Sequence, residues 1–308
     1  MTTSAYSPYR SEAARDFCFA YLDSQAARDW PVASREKTVP TTYGGTFVRI
    51  SGPASAPPLV LLPGAAATSL MWASNIQALS AEYQTFAVDQ IGDFGRSSHT
   101  RPFRRFSDLL AWLNELCDGL ELGDGISLAG MSFGGALAAE YALHFPGRLN
   151  KVVLLAPGAT VLRIRTEFIV RLILAAMASR RWLPSIMHWM FADMARKDPR
   201  WIDETLNQLF TNMWSLERKI PNPRVWTDAE WGNLRVPALF LVGEHETIYS
   251  AEKAVRRLRR VARQVTAEIV PGAGHDLPFV QAAIVNQRIV EFLKQEPLAS
   301  KMSAAGGR

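Results

Sequence analysis

Near the middle of this 308-residue chain stands Gly130-Met131-Ser132-Phe133-Gly134, a hydroxyl with glycines on both sides, followed directly by Gly135 and Ala136. An apolar run precedes it and a helical stretch follows it, the context a nucleophile elbow requires. In such a turn the serine backbone is strained, and small neighbours avoid collisions that a Cβ would cause. The turn lifts the hydroxyl to the carboxyl edge of a sheet, beside the positive end of a helix beginning near Phe133. The chemistry this offers is attack on an acyl carbon through Ser132. A plain helix N-cap is the bland alternative, and the strand–turn–helix context weighs against it.

A serine hydroxyl is a weak nucleophile until a base takes its proton. Of the five histidines, His99 follows an Arg- and Ser-rich loop, His144 ends a helix, His188 sits in a helical interval and His245 adjoins two glutamates. His275 lies in Pro271-Gly272-Ala273-Gly274-His275-Asp276, after the last strand and before the last helix. Open α/β sheets place their sites at that edge, so His275 is the expected base. A carboxylate must then hold the imidazole in the right tautomer. Gly243-Glu244-His245-Glu246 follows a strand in the right interval; Glu246 is the first choice and Glu244 the second, while Asp276 sits too close to the histidine to face it. The oxyanion needs donors, expected from the amides of Phe133 and of Ala65, with Ala66 as second candidate to Ala65. Ala66, Met131, Trp189 and Met190 are expected to line the substrate site.

The elements that would carry these residues are legible as buried runs. Leu59-Val60-Leu61-Leu62 is continuously apolar, as strands covered on both faces are. Thr85–Val88, Ile126–Ala129, Val152–Leu155 and Ala238–Val242 have the same texture, and Thr266–Val270 is a further candidate. Thr46–Ile50 reads as a strand near the start. Helical stretches fall at Ser11–Arg28, Met71–Leu79, Phe106–Leu120, Phe133–His144, Ala251–Val261 and Ala282–Leu293. Strands alternating with helices predict a doubly wound, mostly parallel α/β sheet, because parallel strands need crossovers. The interval from Pro157 to Val236 breaks that rhythm with helical and irregular sequence. It holds six of the nine tryptophans (Trp182, Trp189, Trp201, Trp214, Trp226 and Trp231) together with Met177, Met187, Met190, Met194 and Met213. Residues 159–235 are therefore expected to form a helical cap inserted into a core made of 1–158 and 236–308. A Trp- and Met-rich lid suits an apolar site, although each of these side chains taken singly also fits simple packing.

Composition bounds the rest. At 48% hydrophobic and 20% charged residues, the chain buries a sizeable core; only the tail, Ser300–Arg308, reads as flexible. The net charge of +5 comes partly from Arg101, Arg104 and Arg105 and from the arginines of 256–263. The second group sits on one helix and reads as a solvated face, with no nucleic-acid motif. Cys18 and Cys117 match no metal or redox spacing and fit a reducing compartment. No signal peptide is visible in the first residues, and the most apolar stretch, Phe168–Ala178, is too short to span a bilayer and contains Arg171. A soluble, cytoplasmic protein without metal or organic cofactor is expected. Its partner is a small-molecule substrate, with no nucleic acid or membrane, and a homo-oligomer is open.

With these residues in hand, the chain resembles the α/β-hydrolase superfamily near its carboxylesterases, over about Thr38 to Leu293. Besides Gly-Met-Ser-Phe-Gly-Gly, the resemblance rests on Asp89-Gln90-Ile91-Gly92-Asp93-Phe94-Gly95-Arg96-Ser97, similar to the family's D-x-x-G-x-G-x-S loop. It rests also on Gly243-Glu244-His245-Glu246 and Gly272-Ala273-Gly274-His275. Pro63 departs from the histidine usual before the oxyanion-loop glycine, and Glu246 stands where aspartate is commoner. Serine at the elbow, in place of aspartate, argues against epoxide hydrolase and dehalogenase activity. The resemblance implies hydrolysis of an ester or related acyl bond through Ser132. The same machinery also serves acyltransferases, perhydrolase-like enzymes, carbon–carbon hydrolases and cyclases. A ligand-binding protein on this fold is a third reading, disfavoured by the full set of motifs.

Overall fold

The computed structural model describes residues 9–177, 183–215 and 219–295. Trp182, the first eight residues and the tail from 296 lie outside the described residues, as do the side chains of Met177, Met213 and Trp214. Strands are β1 (Arg35–Thr41), β2 (Gly44–Ser51), β3 (Pro58–Leu62), β4 (Gln84–Val88), β5 (Ser98–His99), β6 (Ile126–Met131), β7 (Leu149–Leu155), β8 (Ala238–Gly243) and β9 (Val265–Val270). The core helices are α1 (Glu12–Asp29), α2 (Ala73–Ser80), α3 (Phe106–Gly119), α4 (Phe133–His144), then α10 (Ala251–Val261), α11 (Leu277–Val280) and α12 (Ala282–Lys294). Between β7 and β8 lie α5 (Thr166–Met177), α6 (Leu183–Met190), α7 (Ala192–Lys197), α8 (Pro199–Ser215) and α9 (Asp228–Gly232).

Among the described residues the sheet has nine strands in the order β1-β2-β4-β3-β6-β7-β8-β9, with β5 paired to β2. From β4 to β9 every pairing is parallel, whereas β1–β2 and β2–β4 are antiparallel. The expected doubly wound sheet is the one found. Its strands read as continuous apolar runs because alternate residues feed two cores. Val60, Leu62, Leu128, Val152 and Phe240 pack with α3, α4 and α10 on one side. Leu59, Leu61, Ala129, Val153 and Leu239 pack with α2 and α12 on the other.

The chain leaves β3 toward β4 on one side and later enters β6 on the other. Parallel sheets bind ligands at the carboxyl end of such a reversal, where the outgoing loops diverge and leave a crevice. Here the reversal falls between β3 and β6, and its carboxyl end carries the loop from Pro63 and the residue Ser132.

The helical interval is fastened to this core at both stems. The Trp226 amide donates to the Thr160 carbonyl at 2.9 Å. The Arg257 guanidinium donates to the Val161 carbonyl, to the Trp226 carbonyl at 2.6 Å and to Asp228 at 2.8 Å. Trp226 and Trp231, with ring centroids 4.5 Å apart, are buried in the main core. Two of the six tryptophans of this interval therefore seat it on the sheet instead of lining a lid. A separate small core of Ile186, Met187, Phe191, Ile202 and Leu206 packs against Trp189, Met190, Trp201 and Phe279. Among the described residues no helix is long and apolar enough to cross a membrane.

Candidate active site

Ser132 occupies the sharp turn between β6 and α4 with φ 52° and ψ −110°. A side chain bearing a Cβ is disfavoured there by about 1–3 kcal/mol, so the surrounding packing must enforce the conformation. That packing is close backbone approach. A Cβ on Gly134 would fall on the carbonyl oxygens of Pro63 and Leu62, and one on Gly130 would fall on the Gly134 carbonyl. Hydrogen bonds complete the turn: Ser132 N donates to Leu155 O at 2.8 Å, and the Ser132 carbonyl accepts from Ala136 and Gly158 at 3.0 and 3.1 Å. Ser132 is half-buried at the sheet edge.

Two further loops leave the same edge, after β8 and after β9. They are stitched together by the Glu244 and His245 amides, which donate to Val270 O at 2.9 Å and Ala273 O at 2.8 Å. On them, His275 Nδ1 lies 2.9 Å from Glu246 Oε2, with both side chains buried. The other oxygen of Glu246 accepts the Ile248 amide at 2.8 Å, which locks the carboxylate's rotation. Glu244 is exposed and its carboxylate accepts the Gly272 amide at 3.0 Å. Of the two glutamates, Glu246 is thus the one beside His275. Tyr249, fully buried near Glu246, has its phenol held well above the ordinary range by burial and then by the glutamate's charge. It stays neutral there.

The loop after β3 holds Ala65 exposed and Ala66 half-buried, the latter at φ 59°. Ala66 donates its amide to Asp93 Oδ2 at 3.1 Å, which commits that donor and leaves Ala65 the better candidate for the oxyanion. Asp93 also accepts the Phe94 amide at 2.9 Å. Asp89 accepts the amides of Ser69 at 2.7 Å and Arg96 at 2.8 Å. Its carboxyl is raised by burial, against the pull of those two amides. The acidic loop quoted in the sequence therefore braces the loop after β3, a role its motif alone did not disclose.

The other expected substrate contacts each have their own packing neighbours. Met131 is buried in the core beneath the loop after β3, where its sulfur lies 3.4 Å from the Cβ position of Gly64. Trp189 lies under the Arg171 guanidinium, 4.5 Å from the ring centroid, and near Phe168. Met190 joins the insertion's small core to the main one. A cleft of about 400 Å³ between α5 and α6, lined by Val170, Leu174 and Ile186 among others, is bordered by none of the candidate catalytic residues. Phe191, not singled out by the sequence, has its ring centroid 6.2 Å from that of His275. One aromatic among several in a helical interval carries no signal of such a neighbour.

The family model described as the alpha/beta hydrolase family matches residues 59–288. The carboxylesterase nap of Bacillus subtilis is 34% identical over 273 residues, 87% of this chain and 89% of that protein. Carboxylesterase YbfK of the same organism is 32% identical over 271 residues, 86% of this chain and 89% of that protein. The crystal structure of naproxen esterase from Bacillus subtilis superposes with a TM-score of 0.84 at 31% identity, covering 93% of this chain and all of that one. An elbow serine at the sheet's reversal point, a loop-borne histidine and this likeness across most of the length agree: the chain belongs to the alpha/beta hydrolase family, among its carboxylesterase-like enzymes.

Proposed function

We propose that the protein hydrolyses a carboxylic ester of a small, largely apolar molecule through an acyl-enzyme on Ser132. The observation that carries this reading is the buried His275–Glu246 pair, 2.9 Å apart, on loops that leave the same sheet edge as the strained serine. With Nδ1 engaged by the carboxylate, Nε2 is the nitrogen left to take the hydroxyl proton. Ser132 Oγ attacks the ester carbonyl as its proton passes to His275. The amides of Phe133 and Ala65 receive the oxyanion, and the alcohol departs with the proton held by the imidazole. Water then attacks the acyl-enzyme, giving up a proton to His275, and the acid leaves as the serine recovers its hydrogen. Glu246 stabilises the imidazolium in both halves.

An apolar substrate is supported by the small residues of the oxyanion loop and by the ring of Phe191, which lies beside His275 and in turn packs on Trp201, next to Phe279. The relatives are carboxylesterases, naproxen esterase among them. Residues 159–235 act in this reading as the lid over the site.

A fluorophosphonate probe should label the wild type and leave Ser132→Ala unlabelled. The same substitution should lower kcat on 4-nitrophenyl esters by at least about 10³-fold. Equal labelling of both proteins would overturn the reading. Labelling without turnover on any chain length would move the activity to another acyl acceptor.

A further inference from the structure

Asp276 sits at the N-cap of α11, the position where an aspartate side chain ordinarily accepts amides of its own helix. It does not do so here. Its Oδ1 instead accepts the Gly274 amide at 2.9 Å, and its Oδ2 accepts the Met194 amide of α7 at 2.6 Å. The carboxylate is fully buried, where only groups with partners are stable. One side chain therefore grips both the turn that carries His275 and a helix of the insertion.

Three further contacts close a ring around that grip. Asp193 of α7 lies 2.9 Å from His245 Nδ1 on the loop after β8 and is also paired with Arg196. Lys197 donates to the Val280 carbonyl at the end of α11, at 2.8 Å. The rings run from His275 to Phe191 at 6.2 Å, to Trp201 at 5.5 Å and to Phe279 of α11 at 5.0 Å. Phe191 immediately precedes α7, so holding α7 holds Phe191 against the imidazole.

We infer that α7 is a brace for the base, and that Asp276 is its positioning residue: through Gly274 it sets the backbone of His275, and through Met194 it sets the aromatic wall Phe191. This rests on the reading of His275 as the base. It means that the insertion takes part in aligning the base as well as covering the site.

Asp276→Asn offers one acceptor oxygen to two amides, so one anchor is lost. Each of Asp276→Asn and Phe191→Ala should lower kcat by about 10- to 100-fold, the scale of a misplaced catalytic group, and Asp276→Asn, which touches no substrate-facing side chain, should change KM less than about threefold. Because both act through the same ring, the double variant should be no worse than the poorer single one beyond a factor of about three. Losses that multiply, or a change confined to KM, would overturn the brace. Should Asp276→Asn not fold, Phe191→Ala with wild-type kcat overturns it alone. The two readings separate cleanly. A fully active Ser132→Ala removes the function proposal, whereas an inactive Ser132→Ala beside a fully active Phe191→Ala removes only the brace.

Discussion

Glu246 is one methylene longer than the aspartate usual at its position, and the structure absorbs the length without loosening the pair. Its two oxygens are assigned to different donors, Oε2 to His275 Nδ1 and Oε1 to the Ile248 amide. That division makes a sharp case for substitution. Glutamine at this position keeps its carbonyl oxygen on the Ile248 amide and must turn its NH2 toward His275. The imidazole then presents a bare Nδ1 and carries its proton on Nε2, the wrong tautomer for a base. Glu246→Gln should lower kcat by about 10³- to 10⁴-fold with stability little changed. Glu244→Gln, altering an exposed side chain, should leave kcat within about twofold. Steady-state kinetics on a 4-nitrophenyl ester compares them, and similar losses in both variants would return the choice of acid to open. At this scale the sequence offered the types and order of the candidate groups. It left open which glutamate faces His275, since two carboxylates two residues apart both fit the interval.

Elements differ in legibility for a physical reason. β3, β4, β6, β7 and β8 are buried on both faces, so their apolar runs stand out, and glycines at the carboxyl ends of β3, β6 and β8 mark those turns. β1 has a single buried residue, Val39, and contains Pro40. An edge strand is half solvated and tolerates charge and proline, so its sequence reads as loop. β5 is two residues long and has no pattern at all. Another invisible device is Lys151, which directly precedes the apolar run of β7 and is buried. Its ammonium donates to the carbonyls of Phe292 and Leu293 at 2.9 Å each and to that of Gln295, closing the end of α12 where the backbone acceptors and the helix dipole favour a cation. Lys151→Met keeps the length and removes every donor. It should cost about 2–3 kcal/mol, the penalty for buried carbonyls left unpaired. Urea unfolding measures the loss, and hydrogen exchange should show the last turn of α12 opening first; a stability equal to wild type would mean that water replaces the ammonium.

The whole molecule brings three sheet-edge loops and one inserted helix to the candidate site, and the stability of that assembly responds to pH through buried groups outside the candidate triad. His99, on β5, is 2% exposed and stacks on Phe103 with centroids 4.9 Å apart. Burial is the larger influence on its ring and pulls its pKa from 6.5 down to about 4. Between those values the unfolded chain binds a proton that the folded chain refuses, so stability falls as the pH drops from 6.5 to 4 and levels off below. The full span corresponds to about 3 kcal/mol at most. Asp89 and Asp276, both raised by burial, act with the opposite sign, because acid relieves their buried charge. The informative quantity is therefore the difference between wild type and His99→Gln, in which the carboxylate contributions cancel. The variant should start less stable at pH 7.5, having lost the ring contact, and should lose less stability than wild type on acidification to pH 4.5. Parallel urea midpoints for the two proteins across that range would place the acid sensitivity in other groups.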